Sequence, residues 1–285
     1  MIDLKGVTKK FGWLTAQPQF QAHPIDVSLR VLHWEWYRLK GAPVILPLYD
    51  FEIRARPCDG VGRVLFYFRE QADDLLNFMQ KYLNPGMTFV DVGSNIGSHT
   101  ILGSRLVGQQ GMVFSIEADP RTFQLLQSNI SRNRVTNATL INQCVSDRSG
   151  EVCFNVDSNS ARSSLIRNGS DRILLMADPL DDVLPPGCEI DLLKVDVEGA
   201  ELLVLNGAKR LFNCKPPRVV VFEATSDQRE IREFLLSHGY RLFEFRRCNS
   251  SLTEISWPVF NTYAIRDVQA PELSAFSVTM SSRAA

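Results

Sequence analysis

From Gly86 onward, short apolar runs alternate with segments of helical period. Thr88–Val92, Gly111–Glu117 and Thr139–Val145 read as three strands. A glycine-containing turn and a helix from about Gly97 to Leu106 follow the first of them. The next helix carries its own start signals: Asp119 is placed to cap it, and Pro120 suits the first helical position. Phe123, Leu126 and Ile130 fall on one of its faces. Leu192–Val197 and Arg218–Glu223 supply a fourth and a fifth strand. Their helices, Ala200–Leu205 and Gln228–His238, stop at Gly207 and Gly239. Tyr240–Phe245 is a further strand, and Asn261–Ile265 closes the sheet at its edge. This alternation predicts a doubly wound α/β sheet.

Two regions break the rhythm. The roughly forty residues between Ser146 and Ile190 are too many for a plain connection. They read as a hairpin strand (Glu151–Val156), a polar loop (Asp157–Ser164, with Arg162), a short strand (Arg172–Met176) and a turn at Pro185-Pro186-Gly187. The first 85 residues are irregular and aromatic-rich, with a helix expected over Ala72–Leu83. The expected organisation is an N-terminal extension or acceptor-binding cap over 1–85, a main domain over 86–266 and a flexible tail over 267–285. His33-Trp34-Glu35-Trp36-Tyr37 is the densest aromatic cluster. A helix packing its rings on the sheet edge is expected there, with stacking against a sugar face as the competing use.

Composition narrows the function. The 285 residues carry 31 Lys+Arg against 32 Asp+Glu, a formal charge of −1, which lacks the basic excess of a nucleic-acid binder. No apolar run approaches the ~18–20 residues of a membrane span. The opening Met1-Ile-Asp-Leu-Lys-Gly does not read as a secretory signal. Cys58, Cys144, Cys153, Cys188, Cys214 and Cys248 show no zinc spacing, so reduced, mostly buried thiols in a cytoplasmic protein are expected.

The most informative stretch is Asp91-Val-Gly93-Ser94-Asn95-Ile-Gly97. Its glycines let the backbone turn tightly beside a ligand at the carboxyl end of a strand. A nicotinamide fingerprint would require Gly-x-Gly-x-x-Gly around a pyrophosphate. Here Asn95 replaces the middle glycine, and Asp91 would repel a pyrophosphate. An acid suits an amine-bearing ligand such as S-adenosylmethionine instead. Glu117, ending the second strand beside Ala118, is placed to accept both hydroxyl protons of an adenosine ribose.

The fourth strand ends in Lys194-Val-Asp196-Val-Glu198-Gly199-Ala-Glu201. Period-two alternation puts Lys194, Asp196 and Glu198 on one side, near the proposed cofactor loop. Charges there are costly to bury unless used or paired, and a Lys194–carboxylate pair is the simplest arrangement.

Four stretches, taken together, resemble the FkbM family of methyltransferases in order and spacing. They are Val-Asp91-Val-Gly-Ser-Asn-Ile-Gly97, Ser115-Ile-Glu117-Ala-Asp119-Pro120, Val145-Ser-Asp147-Arg-Ser-Gly150 and Leu193-Lys-Val-Asp-Val-Glu-Gly-Ala-Glu201. Asp181-Asp182-Val-Leu and His238-Gly-Tyr240 look like that family too, and the likeness spans roughly Leu65 to Ile265. Ala118 stands where proline is common and Ser94 where alanine is common. The resemblance implies a class I, Rossmann-like sheet of seven strands that uses S-adenosylmethionine to methylate a hydroxyl of a small glycan or natural product. Cofactor contacts are then expected from Asp91, Gly93, Ser94, Asn95, Gly97, Glu117 and Ala118.

Methyl transfer to an alcohol benefits from a general base. Asp196 and Glu198 are the first candidates, then Glu223 at the end of the fifth strand, then His99 at a helix start. A carboxylate group also suits Mg²⁺, but Lys194 is placed to neutralise it, and no metal is assigned. The rival readings are a non-catalytic cofactor-binding scaffold and a nicotinamide-dependent oxidoreductase.

Overall fold

The computed structural model describes residues 12–156, 163–165, 171–224 and 227–280. The loop residue Arg162 therefore lies outside the described residues. Contacts divide the chain into two units at Asp73/Asp74, so the larger unit starts about a dozen residues before the boundary expected at 85/86. The reason is the helix Asp74–Tyr82. Its Leu75, Leu76, Phe78 and Met79 are buried, with Phe78 against Tyr263 and Phe276 of the same unit.

The smaller unit holds the helix Pro24–Lys40, the hairpin of β1 (Val44–Leu48) and β2 (Phe51–Ala55), and the helix Gly60–Phe68. Both strands alternate buried and exposed positions, as period two requires of a ribbon covered on one face. Of the five-residue aromatic cluster only Trp34 is buried, against Phe66 and Tyr67 of the helix Gly60–Phe68.

The larger unit is built on β3 (Thr88–Val92), β4 (Met112–Ile116), β5 (Ala138–Ile141), β6 (Cys144–Ser146), β7 (Gly150–Val156), β8 (Asp171–Pro179), β9 (Leu192–Val195), β10 (Val219–Glu223), β11 (Arg241–Arg246), β12 (Ser251–Glu254), β13 (Asn261–Ile265) and β14 (Ser277–Thr279). Nine of these form one sheet in the order β14-β12-β11-β13-β10-β9-β3-β4-β5. The pairs from β5 through β10 are parallel, and β13 enters antiparallel between β10 and β11. That is the expected seven-stranded, Rossmann-like class I arrangement, extended by β12 and β14.

Three details differ from the sequence reading. Asn261–Ile265 is an interior strand, paired on both sides, and the edge is β14. The run Thr139–Val145 is two strands: β5 ends the main sheet, whereas β6 joins a separate sheet of order β6-β8-β7. The stretch 268–280, expected to fray, buries Leu273 and Phe276 and pairs β14 with β12. Few large apolar residues are needed for that, because each of these two lands in the core.

The helix after β4 starts as expected. Asp119 caps it by accepting the backbone N–H of Arg121 (2.9 Å), Pro120 opens it, and Leu126 and Ile130 are buried. Val90, Val92, Leu193, Val195, Val220 and Phe222 form the centre of one hydrophobic core, which explains the uninterrupted apolar runs. All six cysteines are free thiols, but only Cys144 is buried; Cys58, Cys153, Cys214 and Cys248 are exposed, contrary to the expectation of mostly buried thiols. Among the described residues no helix is long and apolar enough to cross a membrane.

Candidate functional site

The parallel register aligns Asp91 of β3 with Lys194 of β9, and Lys194 with Val221 of β10. The chemistry-bearing loops therefore leave the same, carboxyl end of three adjacent strands, where ligands of open α/β sheets bind.

The loop after β3 is held from within. The N–H groups of Gly93 and Ser94 both donate to the Ile116 carbonyl (2.9 and 3.0 Å), and Asn129 Nδ2 donates to the Ile96 carbonyl (2.8 Å). Gly93, Asn95 and Gly97 all take positive φ. At Gly93 the requirement is double, because a Cβ there would sit 1.8 Å from the carbonyl oxygen of Asp196. The loops after β3 and after β9 are thus in direct backbone contact.

Glu117 closes the same loop. Its two carboxylate oxygens accept the backbone N–H groups of Asn95 and Asp119, each at 2.9 Å. Burial pushes its carboxyl up to about 7, against the opposing pull of those two N–H groups. Asn142, in the break between β5 and β6, donates to the carbonyls of Glu117 and Ala118 (2.8 and 3.2 Å).

Asp91 departs from its expected role. Its carboxylate does not face outward toward an amine: it is buried, with Lys194 Nζ at 3.2 Å and the Thr100 hydroxyl donating at 2.7 Å. Thr100, Ser115 and Ser94 continue a buried hydroxyl chain (2.9 and 2.8 Å), and Ser94 donates to the Asp91 carbonyl (2.7 Å). Lys194 also reaches Asp196 (3.3 Å) and the Gly93 carbonyl (3.1 Å). Burial alone would lower the lysine's pKa, but the charges of Asp196 and Asp91 outweigh it and hold the ammonium firmly protonated. The cation bridges the two loops.

Asp196, Glu198 and Glu223 come together. One carboxylate oxygen from each lies within 4.8 Å of the others, and all three side chains are half-buried. Glu198 holds this place with a left-handed backbone (φ 57°), an uncommon cost for a non-glycine residue. Ser164, bridged to Asn155 of β7, donates to the Glu198 carbonyl (2.9 Å). The buried Glu201 accepts the N–H groups of Val197 and Gly199 (3.2 and 3.1 Å), fastening the loop from below. Burial raises the Glu223 carboxyl to about 8, reinforced by the like charges of Asp196 and Glu198. Three acids at this spacing can hold a cation, and one of them retains a proton near neutrality.

His99 lies in the first turn of the helix Ser98–Val107, half-buried, and is not a member of the carboxylate group. Sequence reading did not single out Thr100, Asn142 or Ser164 as site residues. Their partners are 9 to 34 positions away, and no local pattern announces such pairings. Asn261, directly across from Glu223 on β13, is a fourth such residue. A cavity of about 810 Å³ formed by described residues is elsewhere. It lies at the amino end of the strands, lined by Thr88, Asp191, Arg218 and Glu272, and holds none of the candidate residues.

Comparison with known proteins gives the chain relatives. A family model described as the methyltransferase FkbM domain matches residues 91–242. The hexuronic acid methyltransferase AglP of Haloferax volcanii is 25% identical over 210 residues, 70% of this chain and 84% of that protein. A protein-L-isoaspartate O-methyltransferase of Methanothrix thermoacetophila is 28% identical over 123 residues, 43% of this chain and 54% of its own. Among solved structures, the methyltransferase FkbM of Methylobacillus flagellatus is similar at 16% identity and a TM-score of 0.46, covering 87% of this chain and 60% of that one. The family match spans more than half of the residues and includes both loops of the site: the chain belongs to the FkbM family of methyltransferases.

Proposed function

We propose that the protein is an S-adenosylmethionine-dependent O-methyltransferase acting on a hydroxyl of a small glycan or natural product. The observation that carries this reading is the meeting of Asp196, Glu198 and Glu223 beside the loop Asp91–Gly97. The donor set fits the cofactor. Each oxygen of Glu117 uses one acceptor site on a backbone N–H and keeps another for a ribose hydroxyl. The acidic group suits a cationic sulfonium and amine. Gly93, Ser94, Asn95, Gly97 and Ala118 offer backbone and small side chains around Glu117.

S-adenosylmethionine, when bound, supplies an electrophilic methyl group. The protein's part is to hold the acceptor oxygen in line and to take its proton. Glu223 is the best base of the four candidates, because its carboxyl sits near 8 and its ionised form is correspondingly basic. Asp196, paired with Lys194, serves as a fixed charge, and Glu198 orients the acceptor. AglP supports a sugar acceptor by its name alone, and a near-neutral chain suits a small one. Six free thiols favour a cytoplasmic setting.

The test is incubation with isotope-labelled S-adenosylmethionine and a panel of hexuronic acids, hexoses and polyketide alcohols, read by mass for an added methyl. Methylation of at least one acceptor hydroxyl is expected. Cofactor binding by calorimetry without any transfer would favour the scaffold reading. Tight binding of NAD⁺ and none of S-adenosylmethionine would remove the proposal.

A further inference from the structure

The helix Pro24–Lys40 carries two apolar faces. One, with Val27 and Trp34, is buried within its own unit. The other is open: Ile25, Leu29, Leu32, Trp36 and Leu39 are 73, 60, 68, 51 and 79% exposed. A single exposed leucine needs no explanation, but five in register do. Their spacing is 4, 3, 4, 3. That is the seam of a paired helix, in which side chains repeat every 3.5 residues to stay facing a partner helix.

We propose that this face is a self-complementary interface at which two copies of the chain pair through antiparallel helices. Charge supports the second copy as occupant. Asp26 in the first turn and Lys40 in the last follow Ile25 and Leu39 by one residue, so both lie on the same flank of the seam. An antiparallel partner sets its own Lys40 near Asp26 and its own Asp26 near Lys40, and it also opposes the helix dipoles favourably. On the other flank Glu35 is already satisfied by Arg38 of the same helix (2.6 Å). The area is adequate as well. Five such side chains each hide on the order of 100 Å², or roughly 1,000 Å² over two copies, the lower bound of a specific interface. A lipid surface is a poorer match, since surface-lying helices flank their apolar face with Lys and Arg, whereas Asp26 and Glu35 border this seam together with Lys40.

Sedimentation equilibrium of the full chain tests the pairing. The expected result is a dimer at micromolar concentration. Leu32→Glu, at the middle of an exposed seam, should weaken dimerisation by roughly a hundredfold while leaving the circular-dichroism spectrum unchanged. Lys40→Glu should weaken it by about tenfold, and combining it with Asp26→Lys should restore affinity to within about threefold. The charge swap decides the matter even if Leu32→Glu fails to fold. A wild-type monomer at tens of micromolar would overturn the proposal. So would a dimer indifferent to Leu32→Glu and to the charge changes, or a monomer that binds vesicles of anionic phospholipid through the same face.

Discussion

At Glu223, burial and two neighbouring carboxylates act in the same direction on one proton. If its ionised form accepts the acceptor's proton, kcat/KM should rise with pH through an apparent pKa near 8. Glu223→Gln should lower it by about 10²–10⁴-fold and remove that limb, with cofactor affinity retained. Stability follows the opposite sign. A carboxyl raised above its unfolded value contributes fully below about pH 4.5, and that contribution is lost as pH rises through about 8. Above pH 8 the Gln variant should therefore be the more stable one, by on the order of 1–2 kcal/mol once solvent screening is discounted, seen as a higher Tm in scanning calorimetry. Lys194 sits in the reverse situation, as the buried countercharge of Asp91. Lys194→Met should cost about 3–5 kcal/mol in urea denaturation, because it strands a buried acid, and Asp91→Asn added to it should recover much of the loss. At Gly93 the obstacle is steric. Gly93→Ala places a methyl on the Asp196 carbonyl at positive φ, and calorimetry should show cofactor binding abolished with stability lower by several kcal/mol.

Elements differ in how far their sequence betrays them. The parallel strands were legible because burial on both faces writes an uninterrupted apolar run, as in Val219–Phe222. The helix at Pro120 was legible because its cap and first residue are local chemistry. That Lys194 and Asp196 share one side could be anticipated from period-two alternation at a strand end. Which way the Asp91 carboxylate points could not, since that depends on Thr100 and Lys194 arriving from other elements. The break of Thr139–Val145 into β5 and β6 was also hidden: Asn142 there is spent on carbonyls more than twenty residues away. β13 shows the limit most clearly. Its composition reads as a strand, but its place between β10 and β11 is a matter of topology alone. The terminal stretch makes a testable case of the same kind. Phe276 packs on Phe78 and Phe245 (ring centroids 4.9 and 5.7 Å apart), so Phe276→Ala should cost about 3–5 kcal/mol by chemical denaturation, which a frayed tail would not.

On the scale of the whole molecule, the site residues named from the sequence all fall within the larger unit. Residues 74–285 produced alone should unfold cooperatively and bind S-adenosylmethionine with little loss, measurable by calorimetry. Failure of that fragment to fold would show that the larger unit depends on the first 73 residues for its stability. The near-zero formal charge bears on the same point, since affinity for a small acceptor should change little between low and moderate salt. The contact of Gly93 with the Asp196 carbonyl, with Lys194 bonded to both loops, has a further consequence for protein engineering. The two loops form a single mechanical part. Chimeras that graft the loop after β9 from a relative should fail to fold or to bind cofactor unless the loop after β3 is transplanted with it; the smallest exchangeable piece at this end of the sheet is the pair.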